Sequence, residues 1–424
     1  MKKHWMKILI SIVFLTFIIL FLGYHLREHR LNSGIIAFPV NEQVTVSQDS
    51  ADCKHDIYTI LSIDGGGAHG LIPLYLLSKI EQSTNIPIRT SFDLIAGVSV
   101  GALLAAKLSL PNHEGLSTLI SPDSLNAFTG MLAKIFYVSP SRKLLSIHGV
   151  LSPLYSARVK YEYLKTLYPE NYTMKNLLGK TIIIGYDFKN DQILIFSNCA
   201  HCSPTHNNYT LLNILSGSSS PLGFFRPQIL YNGQRKIEYI LSDASYSLND
   251  PTLISYWYGK KICPSSKVKY YFVLSLGTGQ YPVTNGEKKY KLYFGIWHWL
   301  PDIFMGMLQS GHSEVQQLMQ ITKDRKLIYI RINPSLTGNE TYPLNTAPEM
   351  LKRYLNIASD IYTQNTELFQ CITDILKNQT VTKHCQDVLI QYEKSPKQNQ
   401  QIFTNLPGFF EQRDSAHLGV PSSQ

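Results

Sequence analysis

The sequence predicts an α/β fold built on a mainly parallel sheet. Two observations carry this. Short runs of β-branched and aromatic residues alternate with stretches of helical periodicity, and the two earliest strand-to-helix junctions are glycine-rich turns. A third run, Tyr270–Leu276, again stops at a glycine turn, Gly277-Thr278-Gly279.

Ile57–Ile63 reads as a buried strand, stopped by Asp64-Gly65-Gly66-Gly67. A helix follows over Leu71–Ser83, with Leu74, Leu77 and Ile80 on one face. Phe92–Ala96 is a second strand, halted at Gly97, and Ala102–Leu110 a second helix. Residues 111–175 are less regular and read as cover over the sheet. Further strands are expected at Thr181–Tyr186, Gln192–Phe196 and Lys236–Leu241, the last leading into Asp243. Helices near 301–323 and 348–376 flank a strand at 327–332. Beyond about Lys394 the chain is rich in Gln, Ser and Pro and is expected to fray. The domain plan is an N-terminal segment (1–30), a linker (31–55), a catalytic domain (56–376) and a partly disordered C-terminal extension (377–424).

Of the 424 residues, 44% are hydrophobic and 16% charged, which permits a sizeable core and excludes a disordered chain. Four of the nine net positive charges lie in the first 30 residues. The rest are too dilute for a nucleic-acid binder, and no Lys/Arg run is interleaved with aromatics. Six cysteines in so long a chain do not make a disulfide framework. Cys199 and Cys202 have metal-like spacing without a second pair, so a reduced pair or a local disulfide is the better reading; Cys371 and Cys385 would pair in an oxidising compartment.

Residues 8–24 carry no charge and follow Lys2, Lys3 and Lys7. The run is longer than a usual secretory core and no small-residue cleavage site follows it. An uncleaved, single-pass signal anchor is the first reading, with the folded domain outside the cytoplasm; a cleaved signal peptide and a secreted protein is the second. Four Asn-x-Ser/Thr triplets, from Asn171, Asn208, Asn339 and Asn378, are what chance supplies in such a composition.

The strongest motif is Gly97-Val98-Ser99-Val100-Gly101, between a strand and a helix. A turn this sharp needs residues without a Cβ on both sides and presents the serine hydroxyl at a helix N-terminus. Gly65, Gly66 and Gly67 allow backbone N–H groups to converge on one point, as a tetrahedral acyl intermediate requires. They lack the order of a phosphate-binding loop. No histidine announces itself as a base, whereas Asp243 follows a strand, at the sheet end where α/β sites gather.

Taken in order, Asp64-Gly65-Gly66-Gly67-x-x-Gly70, Gly97-x-Ser99-x-Gly101, Ser218–Phe225, Asp243–Pro251 and Leu274–Gly279 resemble the patatin-like phospholipase family. The resemblance covers about residues 56–376 and implies a three-layer α/β/α fold and a lipid acyl hydrolase. It implies Ser99 as nucleophile, Asp243 as base without a catalytic histidine, and Gly65, Gly66 and Gly67 as the oxyanion loop. It implies no metal or cofactor, a membrane lipid as substrate and an acyl-enzyme intermediate; an activating partner is left open. Two positions depart from the pattern. His69 stands where Arg or Lys is usual, either weakening the oxyanion loop at alkaline pH or acting as a neutral surface substitution. Ala244 stands where Gly is commoner. The alternatives are a catalytically weak lipid binder and an α/β-hydrolase with a Ser-His-Asp triad, which would need a histidine such as His298 or His312.

Overall fold

The strand runs read as continuously apolar because the sheet is covered on both faces. In the computed structural model this is visible residue by residue. Leu61 and Ile63 of β2 (Ile57–Ile63) face one core and Tyr58 and Ile60 the other. The same alternation holds in β8 (Tyr270–Leu276) and β9 (Leu327–Ile332). The structure describes residues 13–24, 53–112, 119–146, 152–199, 208–280, 324–394 and 400–404, with residues 26, 36–37, 39, 114, 306, 315, 317–319 and 322.

Ten strands form one sheet. The remaining strands are β1 (Ile36–Ala37), β3 (Leu94–Val98), β4 (Lys180–Asp187), β5 (Gln192–Ser197), β6 (Gln228–Tyr231), β7 (Ile237–Asp243) and β10 (Gln400–Thr404). Its centre, β4-β3-β2-β8-β9, is parallel throughout. Antiparallel pairs flank it: β5 and β7 on β4, β6 on β7, and β10 on β9. Helices α1 (Leu71–Thr84), α2 (Val100–Leu108), α3 (Pro122–Ile135), α4 (Ala157–Lys165) and α5 (Leu211–Ser218) contribute to one core. So do α7 (Pro348–Gln364), α8 (Thr366–Asn378) and α9 (Lys383–Lys394), while α6 (Thr252–Ile262) packs on β2 and β3 from the opposite face. The result is three layers, α/β/α, as expected.

Several boundaries differ from the sequence reading. β3 and α2 meet at Ser99 itself, so the strand ends two residues later and the helix starts two residues earlier than periodicity suggests. The span 348–376 is two helices that break at Asn365, whose side-chain amide donates to the Ile361 carbonyl at 2.7 Å. Beyond residue 377 the chain continues into α9 and then β10, which pairs with β9. Residues 405–424 lie outside the described residues, as does most of the helix expected at 301–323. At the N-terminus, residues 13–24 are helical, and residues 8–12 lie outside the described residues. Among the described residues no helix is long and apolar enough to cross a membrane.

The cysteines do more than the sequence suggests. Cys371 and Cys385 are bonded and tie α8 to α9, and Cys199 is disulfide-bonded as well. Cys53 is bonded to Cys263 across 210 residues, fastening the chain ahead of β2 to the end of α6.

At the carboxyl ends of the central strands lies a fully buried ion cluster. Arg331 on β9 donates from Nη2 to Asp64 Oδ2 at 2.6 Å and from Nη1 to Ser275 Oγ at 2.6 Å, with Asp250 Oδ2 at 3.0 Å from Nη1. Burial works against the guanidinium charge, but the two carboxylates prevail and hold its pKa above the ordinary value.

Two stability predictions follow from these ties. Replacing Cys53 and Cys263 together by Ala lowers unfolding stability by about 2–5 kcal/mol in urea titrations, since the bond closes a long loop. Arg331→Met leaves two buried carboxylates without their cation and lowers stability by about 3–5 kcal/mol on the same measurement.

Candidate active site

β3 enters the site and α2 leaves it, with Ser99 as the hinge between them. Ser99 has φ 55° and ψ −122°, a left-handed backbone that a non-glycine residue adopts only under constraint. The constraint is close packing. A Cβ on Gly97 would lie 2.1 Å from the Gly101 carbonyl oxygen, and one on Gly101 would lie 2.2 Å from that of Ile63. Strand, serine and helix therefore meet at a distance only glycine allows on either side.

Asp243 arrives from β7. Ser99 Oγ donates to Asp243 Oδ2 at 2.5 Å, joining two residues 144 apart in sequence. The other carboxylate oxygen accepts the Ser245 amide at 2.9 Å, and the Asp243 amide donates to the Ser220 carbonyl at 3.1 Å. Asp243 is completely buried. Burial raises its pKa above the usual carboxylate range, while hydrogen bonds from Ser99 and Ser245 and the charge of Lys160 oppose that rise.

The glycine loop leans on the other motifs. Gly65 donates its amide to the Asn249 carbonyl at 3.1 Å, and its own carbonyl accepts from Asn249 Nδ2 at 3.2 Å and from the Thr278 hydroxyl. The Gly65 amide is thus committed to support. Among the described residues no acceptor takes the amides of Gly66 and Gly67, and both residues line the cleft above Ser99. Gly66 (φ 151°) and Gly67 (φ 56°) adopt backbone that side chains disfavour, and a Cβ on Gly66 would lie 2.2 Å from Thr278 Oγ1.

His69 is neither a cation nor a surface residue. It is buried, its ring packs edge-on against Tyr354 at 4.8 Å, and burial pulls its pKa down to about 3, so it is neutral. No histidine among the described residues accepts from Ser99, and His298 and His312 lie outside the described residues.

The cleft is walled chiefly by Val100, Leu103, Leu132, Ile135, Phe136 and Leu344, an apolar lining with the hydroxyl of Ser99 at its floor. One charged side chain also lines it, Lys160 of α4, which the sequence reading passed over. It sits in Lys160-Tyr161-Glu162-Tyr163-Leu164-Lys165, where polar neighbours give a lysine no sign of burial.

The patatin-like phospholipase family model matches residues 61–255, from within β2 through Ser99 and Asp243 into α6. Patatin-like protein 2 of Oryza sativa subsp. indica is 30% identical over 286 residues, covering 60% of this chain and 69% of that protein. Patatin-like protein 4 of Arabidopsis thaliana is 26% identical over 244 residues, covering 53% of this chain and 60% of that one. The chain spans 60% and 66% of the length of two Arabidopsis thaliana patatin-like proteins that it matches. Among solved structures, VipD from Legionella pneumophila aligns at a TM-score of 0.31 and 14% identity, over 82% of this chain and 68% of that one. With the glycine loop, the serine elbow and the aspartate carried in order by one sheet, and with the family model and the Oryza sativa relative, the chain belongs to the patatin-like phospholipase family.

Proposed function

We propose that this protein is a lipid acyl hydrolase that cleaves fatty acyl esters of phospholipids or related lipids through a Ser99–Asp243 dyad. The observation that carries the reading is the direct Ser99–Asp243 hydrogen bond at the floor of an apolar cleft. An acyl chain lies along the cleft walls, which removes its surface from water. Ser99 Oγ attacks the ester carbonyl carbon as its proton passes to Asp243, whose desolvated carboxylate is a stronger base than an exposed one. The oxyanion meets the amides of Gly66 and Gly67, while Gly65 holds the loop in place. Asp243 returns the proton to the departing alkoxide, leaving an acyl group on Ser99. Water, deprotonated by Asp243, then attacks this acyl-enzyme and releases fatty acid, and Ser99 recovers its proton. No metal or cofactor enters these steps.

The location belongs to the same proposal. Residues 8–24 anchor the protein to a membrane or direct its export, and the domain works in an oxidising compartment, where the bonds at Cys53, Cys263, Cys371 and Cys385 persist.

Fatty-acid release from mixed phospholipid vesicles tests the chemistry. Ser99→Ala and Asp243→Asn are each expected to keep the parent's thermal melt and to lose about 10³-fold or more in rate. A folded parent that releases nothing from any vesicle, or a fully active Asp243→Asn, overturns the reading. The pH profile offers an independent check. Because the base must be ionised and burial raises its pKa, kcat/KM should fall on acidification at a pH above the range of an exposed aspartate. An acid limb at the ordinary aspartate pKa contradicts a desolvated base.

A further inference from the structure

Lys160 is 1% exposed, yet among the described residues no carboxylate lies within ion-pair distance of it. A fully buried lysine is rare unless paired. Here the pairing is to neutral oxygens of one turn. Nζ donates to the Ser216 carbonyl at 2.7 Å, the Ser219 carbonyl at 2.9 Å and the Ser220 hydroxyl at 2.6 Å, and it stands 4.5 Å from the Phe225 ring centroid.

That turn holds the base. The Ser220 carbonyl accepts the Asp243 amide at 3.1 Å and the Ser242 hydroxyl at 2.6 Å, and Lys160 and Ser219 line the same cleft as Ser99. The charge that acts on Lys160 is Asp243. The helices packed on α4 bring no other: α5 has no charged residue, and on α3 Asp123 lines a separate cavity and Lys134 is exposed.

We propose that Lys160 is a positioning residue of the dyad: its ammonium favours the ionised form of Asp243 and, through the Ser216–Ser220 turn, fixes where that carboxylate lies. The inference rests on the dyad reading above. It addresses a difficulty in that reading, since the burial that makes Asp243 a strong base also favours its protonated form, which is no base at all. A nearby cation offsets this without a second carboxylate to compete for the serine proton. Burial also pulls Lys160 down to about 7, so its charge is present on the acid side of neutrality and fades above it.

The test is the pH dependence of vesicle hydrolysis and of Ser99 labelling by a fluorophosphonate, for the full chain and two neutral variants, Lys160→Gln and Lys160→Met. The acid limb should move to higher pH by about one unit or more in both variants, a loss of about tenfold on the limb that shrinks above pH ~7. Lys160→Arg, which keeps a charge, should leave the limb nearer the parent's. An unmoved limb overturns the inference, as does a loss of equal size at every pH, the mark of packing alone. If neither neutral variant folds, the parent decides: its labelling should show two inflections, one from each group, and a single inflection overturns the coupling. Full labelling of Asp243→Asn sinks the dyad reading itself, and so is told apart from a failure at Lys160.

Discussion

The site is assembled around one buried guanidinium. Arg331 joins Asp64, which opens the glycine loop, to Asp250, which follows the asparagine that holds Gly65, and to Ser275, three residues before the threonine that holds the same glycine. Three segments distant in sequence are locked into one register by a side chain that touches no reacting atom. Such a cluster is not primarily a source of stability, because taking charged groups out of water costs about what their attraction returns, and burial raises the pKa of Asp64 to about 8 against the pull of Arg331. Its effect is directional. Without the guanidinium, the buried carboxylates would be driven toward their protonated forms and the tie between the segments would be lost.

Onto this frame the fold places two opposed constraints. The serine elbow is strained, with Ser99 at positive φ between glycines packed against backbone, and strain of this kind costs about 1–3 kcal/mol. The aspartate is relaxed: it ends β7 and has both carboxylate oxygens and its amide bonded. Ser99 is therefore held by exclusion and Asp243 by attraction. The buried central strands that flank β3 supply the rigidity that keeps the strain at Ser99 from relaxing.

Much of this was legible in the sequence where a single local rule governs it. β2 and β8 were readable to the residue because strands buried on both faces show uninterrupted apolar runs bounded by glycine. The elbow was readable because its glycines are a steric necessity. What escaped reading depends on partners far away. Arg331 meets Asp64 across 267 residues, and nothing near it in sequence says so. Cys53 and Cys263 are 210 residues apart. Lys160 lies in a helix of mixed polarity whose buried face appears only once α5 is in place. His69 reads as a polar residue in a loop, yet Tyr354, on a helix nearly 300 residues later, covers it. The three glycines look alike as letters; their division of labour, one bonded and two facing the cleft, follows from Asn249.

A Ser–Asp dyad of the kind proposed must solve a problem that a triad avoids. Imidazole has an intrinsic pKa near neutrality, so it can be both substantially unprotonated and a competent base. A carboxylate in water is always ionised at neutral pH but is a weak base, and burial strengthens it only by pushing it toward protonation. The two demands are met together when burial is deep and some group selectively stabilises the ionised form. In this site the stabilisation comes from the Ser99 hydroxyl, the Ser245 amide and Lys160. In the proposed mechanism the first is consumed in each turnover, because Ser99 gives up its proton to Asp243. The amide and the lysine would persist through that proposed cycle, and so would decide whether Asp243 is ready when the next acyl group arrives. The lysine, being charged, is the one whose influence changes with pH.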